Sequence, residues 1–285
     1  MIPEDAATPD HTLIQFTDTH LVPEDARLAG GHDPLPGLAA ALGVVEDSGL
    51  RPAALLFTGD LVEGGDAASY RRFRALVEPA AARIGVPVIH VLGNHDDRAT
   101  ARVHLLDEPA STDPHDRVVW LGALRVVVLD TTVPGASHGE LTPAQLAWLG
   151  AELAVPAPDG TVLALHHPPL PTSSPLSAAI ELADRAALGT VLAGSDVRIV
   201  LAGHTHVVSA GAIAGIPVWT GGSTSTTWDA LAADGRGRTV RTPAVSRIDV
   251  FADDLLVTAV AVGAETVAAV DRAELEEMIA RLTRR

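Results

Sequence analysis

The sequence predicts a layered α/β fold, because short apolar runs alternate with Ala- and Leu-rich segments of helical composition. The apolar runs are continuous, rich in β-branched residues, and stop at Asp, Gly or His, as buried strands do. They cover residues 12–17, 53–58, 86–92, 125–130, 161–165 and 198–202. Helices are predicted in the intervening segments 35–47, 67–83, 143–153 and 178–192. This alternation is typical of α/β architecture.

The pattern changes after residue 206, where paired runs resemble β-hairpins. Residues 207–214 pair with 217–221, and residues 246–251 pair with 255–262, so we expect antiparallel strands there. The Gly- and Arg-containing segment 226–242 is predicted to be a flexible loop. Residues 271–285 begin with acids and end with bases, which suits a terminal helix. We therefore expect one catalytic domain at 12–263 and a C-terminal helix at 271–285.

Composition limits the classes of partner. The chain has 285 residues, 47% hydrophobic and 20% charged, which is ordinary for a globular protein with one sizeable core. A formal net charge of -16, from 36 acids and 20 bases, opposes binding to nucleic-acid backbones or anionic lipid. We therefore expect neither nucleic acid nor membrane as a partner. A small anionic substrate is still compatible, because bound metal would reverse the local field.

The sequence contains no cysteine, which excludes disulfides and thiolate chemistry and fits a reducing compartment. The N-terminal residues lack the basic start and apolar core of a signal peptide. No stretch approaches the roughly 20 apolar residues of a membrane span. These observations predict a cytoplasmic protein.

Five short segments rich in metal-ligating residues follow predicted strands. They are Asp18-Thr-His20, Gly59-Asp60, Gly93-Asn94-His95-Asp96, His166-His167-Pro-Pro and Gly203-His204-Thr-His206. Open α/β sheets place ligands in the loops after their strands, so these segments are expected to lie near one another. Carboxylate, amide and imidazole groups together form a ligand set that suits a pair of divalent metals.

Each of these segments also has an ordinary structural interpretation. Asp18 and His20 are two apart and share a face, so they can chelate one ion, but Asp-x-His can also form a simple turn. Asp60 follows a buried strand and a glycine, where a carboxylate can bridge two ions or cap a helix. Either His204 or His206, taken alone, would more often be a structural histidine. Their joint occurrence indicates a dinuclear site.

The sequence segments around these residues resemble those of the calcineurin-like metallophosphoesterase superfamily. The segments FTDTHL, LLFTGDLVEGGD, VIHVLGNHDDR, VVVLDTTVPGASHGEL, VLALHHPP and VLAGHTH are most similar to the bacterial class III cyclic nucleotide phosphodiesterases. The resemblance extends from about residue 13 to about residue 262, and five separated motifs in the same order make it specific. It implies a four-layer αββα sandwich of mixed sheets with helices outside.

The resemblance also implies a ligand set. One metal would be held by Asp18, His20, Asp60 and His206, and the other by Asp60, Asn94, His166 and His204. Iron and manganese are favoured, as divalent or mixed-valence ions, with zinc or cobalt as alternatives. Such a pair lowers the pKa of a water to give hydroxide, which would attack phosphorus in line.

Further roles follow from the resemblance and from position. His95 is expected to protonate the leaving oxygen, with phosphate binding alone as the other interpretation. Related phosphatases orient this histidine through an acid three positions after the bridging aspartate, and that position is Glu63 here. Asp96 is expected to brace its loop through backbone hydrogen bonds. His167 is not predicted as a ligand, and Arg98 is predicted to be a solvated arginine at a helix start.

The predicted reaction is hydrolysis of cyclic nucleotides, 3',5'-cyclic AMP to AMP and also 2',3'-cyclic nucleotides. A glycerophosphodiesterase or a broad-specificity phosphodiesterase is the enzymatic alternative, and a metal-free scaffold of the same fold is the non-enzymatic one. Purple acid phosphatases are excluded, because their tyrosine ligand would stand where Glu63 does. The small-molecule cyclic nucleotide is the expected partner, and the sequence leaves a homodimer open.

Overall fold

Two stacked β-sheets form the centre of the fold in the computed structural model, which describes residues 7–172, 174–232 and 236–282. The first sheet has the strand order β13-β12-β1-β2-β3. Strands β1, β2 and β3 are parallel, β12 is antiparallel to β1, and β13 is antiparallel to β12. Its strands are β1 (His11–Phe16), β2 (Ala54–Thr58), β3 (Val88–Val91), β12 (Ala244–Val250) and β13 (Leu255–Ala261).

The second sheet is also mixed, with the strand order β4-β5-β6-β7-β9-β8. Strands β5, β6, β7 and β9 are parallel, and β4 and β8 are antiparallel to their neighbours. Its strands are β4 (Arg117–Leu121), β5 (Leu124–Val128), β6 (Thr161–Ala164), β7 (Val197–Ala202), β8 (Ser209–Ile213) and β9 (Ile216–Thr220). A small separate ribbon pairs β10 (Thr227–Trp228) with β11 (Thr239–Val240).

Alternation along the strands divides the core into three apolar layers. On β1, Leu13 packs in a cluster that joins both sheets, whereas Ile14 and Phe16 pack on the opposite face against helices. On β2, Leu56 faces the other sheet and Phe57 faces the helices. Because successive side chains point to opposite faces, a continuously apolar strand can serve two layers at once.

Helices cover the two outer faces. Helices α1 to α3 pack on the first sheet, and α4 and α6 pack on the second. This arrangement confirms the predicted four-layer αββα sandwich. The helices are α1 (Leu35–Asp47), α2 (Ala67–Ile84), α3 (Arg98–His104), α4 (Pro143–Leu153), α5 (Pro175–Ala179), α6 (Arg185–Leu192) and α7 (Arg272–Leu282), with a 3-10 turn at Ala29–Gly31.

Capping residues explain why two helix predictions match the structure closely. The carboxylate of Asp66 accepts hydrogen bonds from the backbone N–H groups of Ala68 and Ser69 at the start of α2. Gly85, with φ of 83°, ends that helix in the left-handed conformation that glycine adopts without strain. Thr142 and Gln145 form a reciprocal capping box at the start of α4.

The predicted helix at 178–192 is wrong as a single element. The structure has α5 and α6 with a break between them, and α5 begins earlier, where Ser174 caps it. In the break, the backbone N–H of Gly139 donates to the carbonyl of Glu181, and the N–H of Ala183 donates to the carbonyl of Gly139. These bonds to a distant loop replace the hydrogen bonds that would continue the helix.

The other sequence interpretations have mixed outcomes. The segment 226–242, predicted as a loop, contains β10 and β11, although residues 233–235 lie outside the described residues. Strand β4 was not predicted, and of helix α3 only a start at Arg98 was. The terminal helix was predicted at 271–285 and is observed as α7, which has no buried residue; residues 283–285 lie outside the described residues.

Among the described residues, no helix has the length and apolar character needed to cross a bilayer.

Candidate metal centre

The predicted ligand segments meet at one edge of the stacked sheets. Loops after β1, β2 and β3 of the first sheet face loops after β6 and β7 of the second. The backbone N–H of His204 donates to both carboxylate oxygens of Asp18, at 3.0 and 3.1 Å. The N–H of Asp18 donates in turn to the carbonyl of Gly59 at 3.0 Å. The carboxyl ends of parallel strands therefore bring residues from distant parts of the chain into one site.

Several of these side chains lie on backbone in the left-handed region. The φ angles are 51° at Asp18, 47° at His20, 50° at Asp60, 73° at His204 and 55° at His206. Residues other than glycine adopt this region infrequently, at a cost of about 1–3 kcal/mol each. Such strain is maintained where the surrounding structure imposes it, as functional sites commonly do.

Two glycines permit the close approach of the loops. A Cβ at Gly93 would overlap the backbone nitrogen and a carboxylate oxygen of Asp60. A Cβ at Gly59, whose φ is 97°, would overlap the imidazole ring of His166. Both glycines therefore serve the packing of the site itself, because any larger residue would displace Asp60 or His166.

One cluster of potential ligands consists of Asp18, His20, Asp60 and His206, whose donor atoms all lie within 4.8 Å of one another. The Nε2 atoms of His20 and His206 are 2.9 Å apart. The distance from His20 Nε2 to Asp60 Oδ2 is 3.5 Å, and that from His206 Nε2 to Asp18 Oδ1 is 3.6 Å. The three residues Asp18, His20 and Asp60 are buried.

A second cluster lies on the other side of Asp60. His166 Nε2 is 3.3 Å from Asp60 Oδ2 and 3.2 Å from the amide oxygen of Asn94. His166 also groups with His167 and His204, with donor atoms within 4.8 Å of one another. Asp60 Oδ2 therefore lies between His20 in the first cluster and His166 in the second, which is the position a bridging carboxylate would occupy.

The remaining nitrogen of each clustered histidine is held by an outer acceptor. The ring N–H groups of His166, His204 and His206 donate to the backbone carbonyls of Thr58, Ile180 and Thr226 at 2.8, 2.8 and 2.7 Å. His20 Nδ1 donates to the carboxylate of Glu63 at 2.6 Å. Such outer bonds fix the tautomer and orient the other nitrogen toward a metal. The sequence did not predict these carbonyl partners. Every residue has a backbone carbonyl, so no residue type distinguishes the ones that bind a histidine.

Electrostatics also favour positive charge in the centre. Burial alone would lower the pKa of His20, but the hydrogen bond to Glu63 and the charges of Asp60 and Asp18 raise it to about 9. Burial likewise opposes protonation of His166, but the charge and hydrogen bond of Asp60, with the charge of Asp18, together raise its pKa to about 9. Burial would raise the pKa of Asp60, but His166 and His20 hold it well below the usual range. The buried carboxylates thus attract cations into the site.

The histidines of the Gly-His-Thr-His segment behave differently. Burial, with the charge of His166 as a further cause, lowers the pKa of His204 to about 4. Burial also lowers the pKa of His206. A neutral imidazole has a free lone pair, which is the form that ligates metals. The free ring nitrogens of His204 and His206, together with the buried carboxylates of Asp18 and Asp60, therefore fit divalent cations chemically.

Glu63 and His95 are arranged differently from the prediction. The Nδ1–H of His95 donates to the backbone carbonyl of Glu63 at 2.9 Å, and its distance to the Glu63 carboxylate is 3.5 Å. The carboxylate contacts His20 more closely, at 2.6 Å. The longer glutamate side chain extends past His95 to His20, so a main-chain carbonyl supports His95 instead.

The neighbouring predictions have mixed outcomes. Asp96 accepts hydrogen bonds from the backbone of Gly93 at 2.9 Å and Leu61 at 3.1 Å, which confirms its bracing role. His167 is buried, with Nδ1 2.7 Å from Thr131 Oγ1. Its Nε2 lies 3.3 Å from the Ser137 carbonyl. Both ring nitrogens of His167 thus have protein partners.

Arg98 was predicted to be solvated, and this prediction is wrong. It begins α3 as expected, but it is buried, and its Nε lies 2.9 Å from Asp130 Oδ2. Its Nη2 donates to the carbonyl of Thr132 at 2.7 Å. The acceptors lie in the loop after β5, more than 30 residues away, so no local sequence pattern around Arg98 indicates its burial.

The αββα sandwich, with two ligand clusters sharing Asp60 at the strand ends, defines a metal-dependent phosphoester hydrolase. The chain belongs to the calcineurin-like phosphoesterase family, whose sequence model matches residues 11–208. The family implies a dinuclear metal centre, and these clusters contain residues that could hold a metal ion.

Individual relatives agree with this assignment. The chain is 51% identical over 232 residues to a cAMP/cGMP dual specificity phosphodiesterase of Mycobacterium tuberculosis, covering 81% of this chain and 73% of the relative. It is 33% identical to the 3',5'-cyclic adenosine monophosphate phosphodiesterase CpdA of Pseudomonas aeruginosa, over 68% of this chain and 69% of that one. A dimetal phosphatase from Danio rerio has the same fold, with a TM-score of 0.66, 16% identity, and coverage of 90% and 98%.

Proposed function

We propose that this protein is a dinuclear-metal phosphodiesterase that hydrolyses cyclic nucleotides, including 3',5'-cyclic AMP to AMP. The observation that carries the proposal is the position of Asp60 Oδ2, 3.5 Å from His20 Nε2 and 3.3 Å from His166 Nε2. The names of the relatives, a cAMP/cGMP phosphodiesterase and a cyclic AMP phosphodiesterase, support the substrate class.

The proposed ligand sets follow the two clusters around Asp60. Asp18, His20, Asp60 and His206 would hold one ion, and Asp60, Asn94, His166 and His204 the other. Oxygen and imidazole nitrogen ligands admit iron and manganese, which we favour, and also zinc or cobalt. His167 is left outside the set, because Thr131 and Ser137 occupy its nitrogens.

Bound metals would supply a hydroxide nucleophile and would neutralise charge on the phosphoryl group. The chain supplies the proton. The side chain of His95 is 37% exposed, at the open side of the clusters and 4.8 Å from the His20 ring between centroids. Its Nδ1–H is held by the Glu63 carbonyl, so Nε2 is the nitrogen able to exchange a proton with a leaving ribose oxygen. In this scheme Glu63 acts on His20, and its main chain positions His95.

Location and partners complete the proposal. We propose a cytoplasmic protein, because a chain without cysteine suits a reducing compartment. The net charge of -16 opposes nucleic acid and anionic membranes as partners. A homodimer is compatible with the proposal, which assigns every ligand to a single chain.

A substrate panel tests the proposed reaction. Metal-replete protein should hydrolyse 3',5'-cyclic AMP and 3',5'-cyclic GMP, and we expect activity on 2',3'-cyclic nucleotides as well. EDTA should abolish turnover, and added metal should restore it. Efficient cleavage of glycerophosphodiesters without cleavage of cyclic nucleotides would replace the substrate assignment and leave the metal centre intact. Metal-free protein that binds no added metal would support the scaffold alternative.

A further inference from the structure

A large cavity opens beside the proposed metal centre. Its volume is about 630 Å³, and His204 and Thr205 form part of its wall. Leu176 of α5 and Trp228 of β10 line it from other elements. We call this space the His204 cavity. Its size falls within the range of small-molecule sites, and a smaller space of about 190 Å³, lined by the same four residues among others, adjoins it.

The walls of the His204 cavity are fastened to the centre. His204 Nε2 donates to the carbonyl of Ile180, which ends α5, at 2.8 Å. The backbone N–H of Trp228 donates to the carbonyl of His206 at 3.2 Å. A substrate whose phosphate lies at the metal ligands can therefore extend its next chemical group into the space between α5 and β10. In a cyclic nucleotide, that group is the nucleoside.

Trp228 is held in a defined position. Its strand pairs with β11, where Trp228 lies opposite Thr239. Gly237 packs against the ring, because a Cβ there would overlap Cη2 of the indole. The residue is still partly exposed, since it lines the His204 cavity. A fixed aromatic surface at a cavity is suited to stacking, because little conformational entropy is lost when a ligand binds.

Building on the proposed function, we propose that the His204 cavity is the nucleoside subsite and that Trp228 is the stacking platform for the base. Ser177 and Thr205 line the same space. Their hydroxyl groups can rotate to donate or accept hydrogen bonds, so they accept either purine edge. The subsite therefore takes adenine and guanine alike. It favours purines over pyrimidines, because the larger ring system covers more of the indole.

Activity on two cyclic diesters tests the platform. The variants are Trp228→Leu, which keeps apolar volume but removes the aromatic face, and Trp228→Phe, which keeps a smaller face. On 3',5'-cyclic AMP, Trp228→Leu should lower kcat/KM by about tenfold or more, mainly through KM, and Trp228→Phe should retain most activity. Propane-1,3-diol cyclic phosphate has no base, so its hydrolysis should change less than about twofold. Trp120→Leu, at an exposed tryptophan of β4, is the matched control.

Fluorescence gives a readout that does not depend on turnover. AMP should quench the emission of metal-loaded wild-type protein, which contains four tryptophans, and Trp228→Phe should remove that quench. Equal losses on both diesters would overturn the stacking role and assign Trp228 to support of His206. An unchanged KM for cyclic AMP in Trp228→Leu would overturn the subsite and leave the proposed reaction standing. AMP quenching in a protein that cleaves no cyclic nucleotide would support the subsite and refute the reaction.

Discussion

The Nε2 atoms of His20 and His206 lie 2.9 Å apart, although the two residues are separated by 186 positions in the sequence. Each Nδ1 is already engaged, in His20 with the Glu63 carboxylate and in His206 with the Thr226 carbonyl. Those outer acceptors hold a proton on each Nδ1. The pKa of His20 is raised to about 9, so its Nε2 also carries a proton and donates to the lone pair of His206 Nε2. A metal ion that displaces this proton would meet two imidazole nitrogens directed at one point. The contact therefore joins two potential ligands from distant parts of the chain.

Replacement of the shared carboxylate should remove metal and activity together. Asp60→Ala deletes the oxygen that lies between His20 and His166, so we expect loss of bound metal. Cyclic nucleotide hydrolysis should fall by about 10² to 10³-fold, the order of effect seen when a key charge-stabilising group is removed. Elemental analysis and kinetics measure both. Asp249→Asn alters another buried carboxylate, which contacts Thr12, and should keep its metal. A folded Asp60→Ala variant with full metal content would refute the bridging role.

The role of His95 can be separated from that of its neighbour Asn94. His95→Ala should leave metal content nearly intact, because no proposed ligand is removed. It should slow hydrolysis of 3',5'-cyclic AMP by about 10² to 10⁴-fold, the usual contribution of general acid catalysis. With a p-nitrophenyl phosphodiester as substrate, the leaving p-nitrophenolate needs no proton, so the defect should shrink. Equal defects with both leaving groups would show that His95 binds phosphate or orders the site.

Metal binding to metal-free protein should release protons. His20 and His166 have pKa values raised to about 9, so both carry a proton at pH 7 that a metal must displace. Apparent metal affinity should therefore rise with pH up to about 9 and level off above it. Calorimetry in buffers of different ionisation enthalpy should detect about one to two protons released at pH 7.

Glu63 provides the control for that measurement. Glu63→Gln removes the charge beside His20 Nδ1, so fewer protons should be released at pH 7. Glu46→Gln, at an acid paired with Arg83 on the surface, should change nothing. Metal binding without proton release in the wild type would contradict the protonated state of both histidines.

The buried Arg98–Asp130 pair should be important for stability. Arg98→Ala leaves the Asp130 carboxylate buried without its guanidinium partner, so the free energy of unfolding should fall by about 3 kcal/mol or more. Urea unfolding with chelator present measures this change without a contribution from metal. Arg83→Ala breaks an exposed pair with Glu46 and should have little effect. A similar small change for Arg98→Ala would mean that water reaches Asp130 in the folded protein.

Local patterns were sufficient to predict an α/β fold and the residue types of the centre, whereas the four-layer arrangement came from the resemblance to a known family. Continuous apolar runs identified the parallel strands, because strands buried on both faces need apolar residues at every position. Helix α1 was predicted with its observed bounds. The Asp, Asn and His residues were predicted at the strand ends, where the structure brings them together, because ligating side chains are visible in the sequence.

Contacts between distant segments decided the rest. The helical conformation is interrupted between α5 and α6 because the backbone there forms hydrogen bonds with Gly139. Arg98 is buried because it forms an ion pair with Asp130. The Glu63 carboxylate lies closer to His20, at 2.6 Å, than to His95, at 3.5 Å. Main-chain carbonyls of Thr58, Ile180 and Thr226 orient three other histidines. Each of these outcomes depends on which backbone or side chain lies opposite after folding. The sequence shows which groups can form hydrogen bonds and ion pairs, but the packing of distant segments decides which partner each group meets.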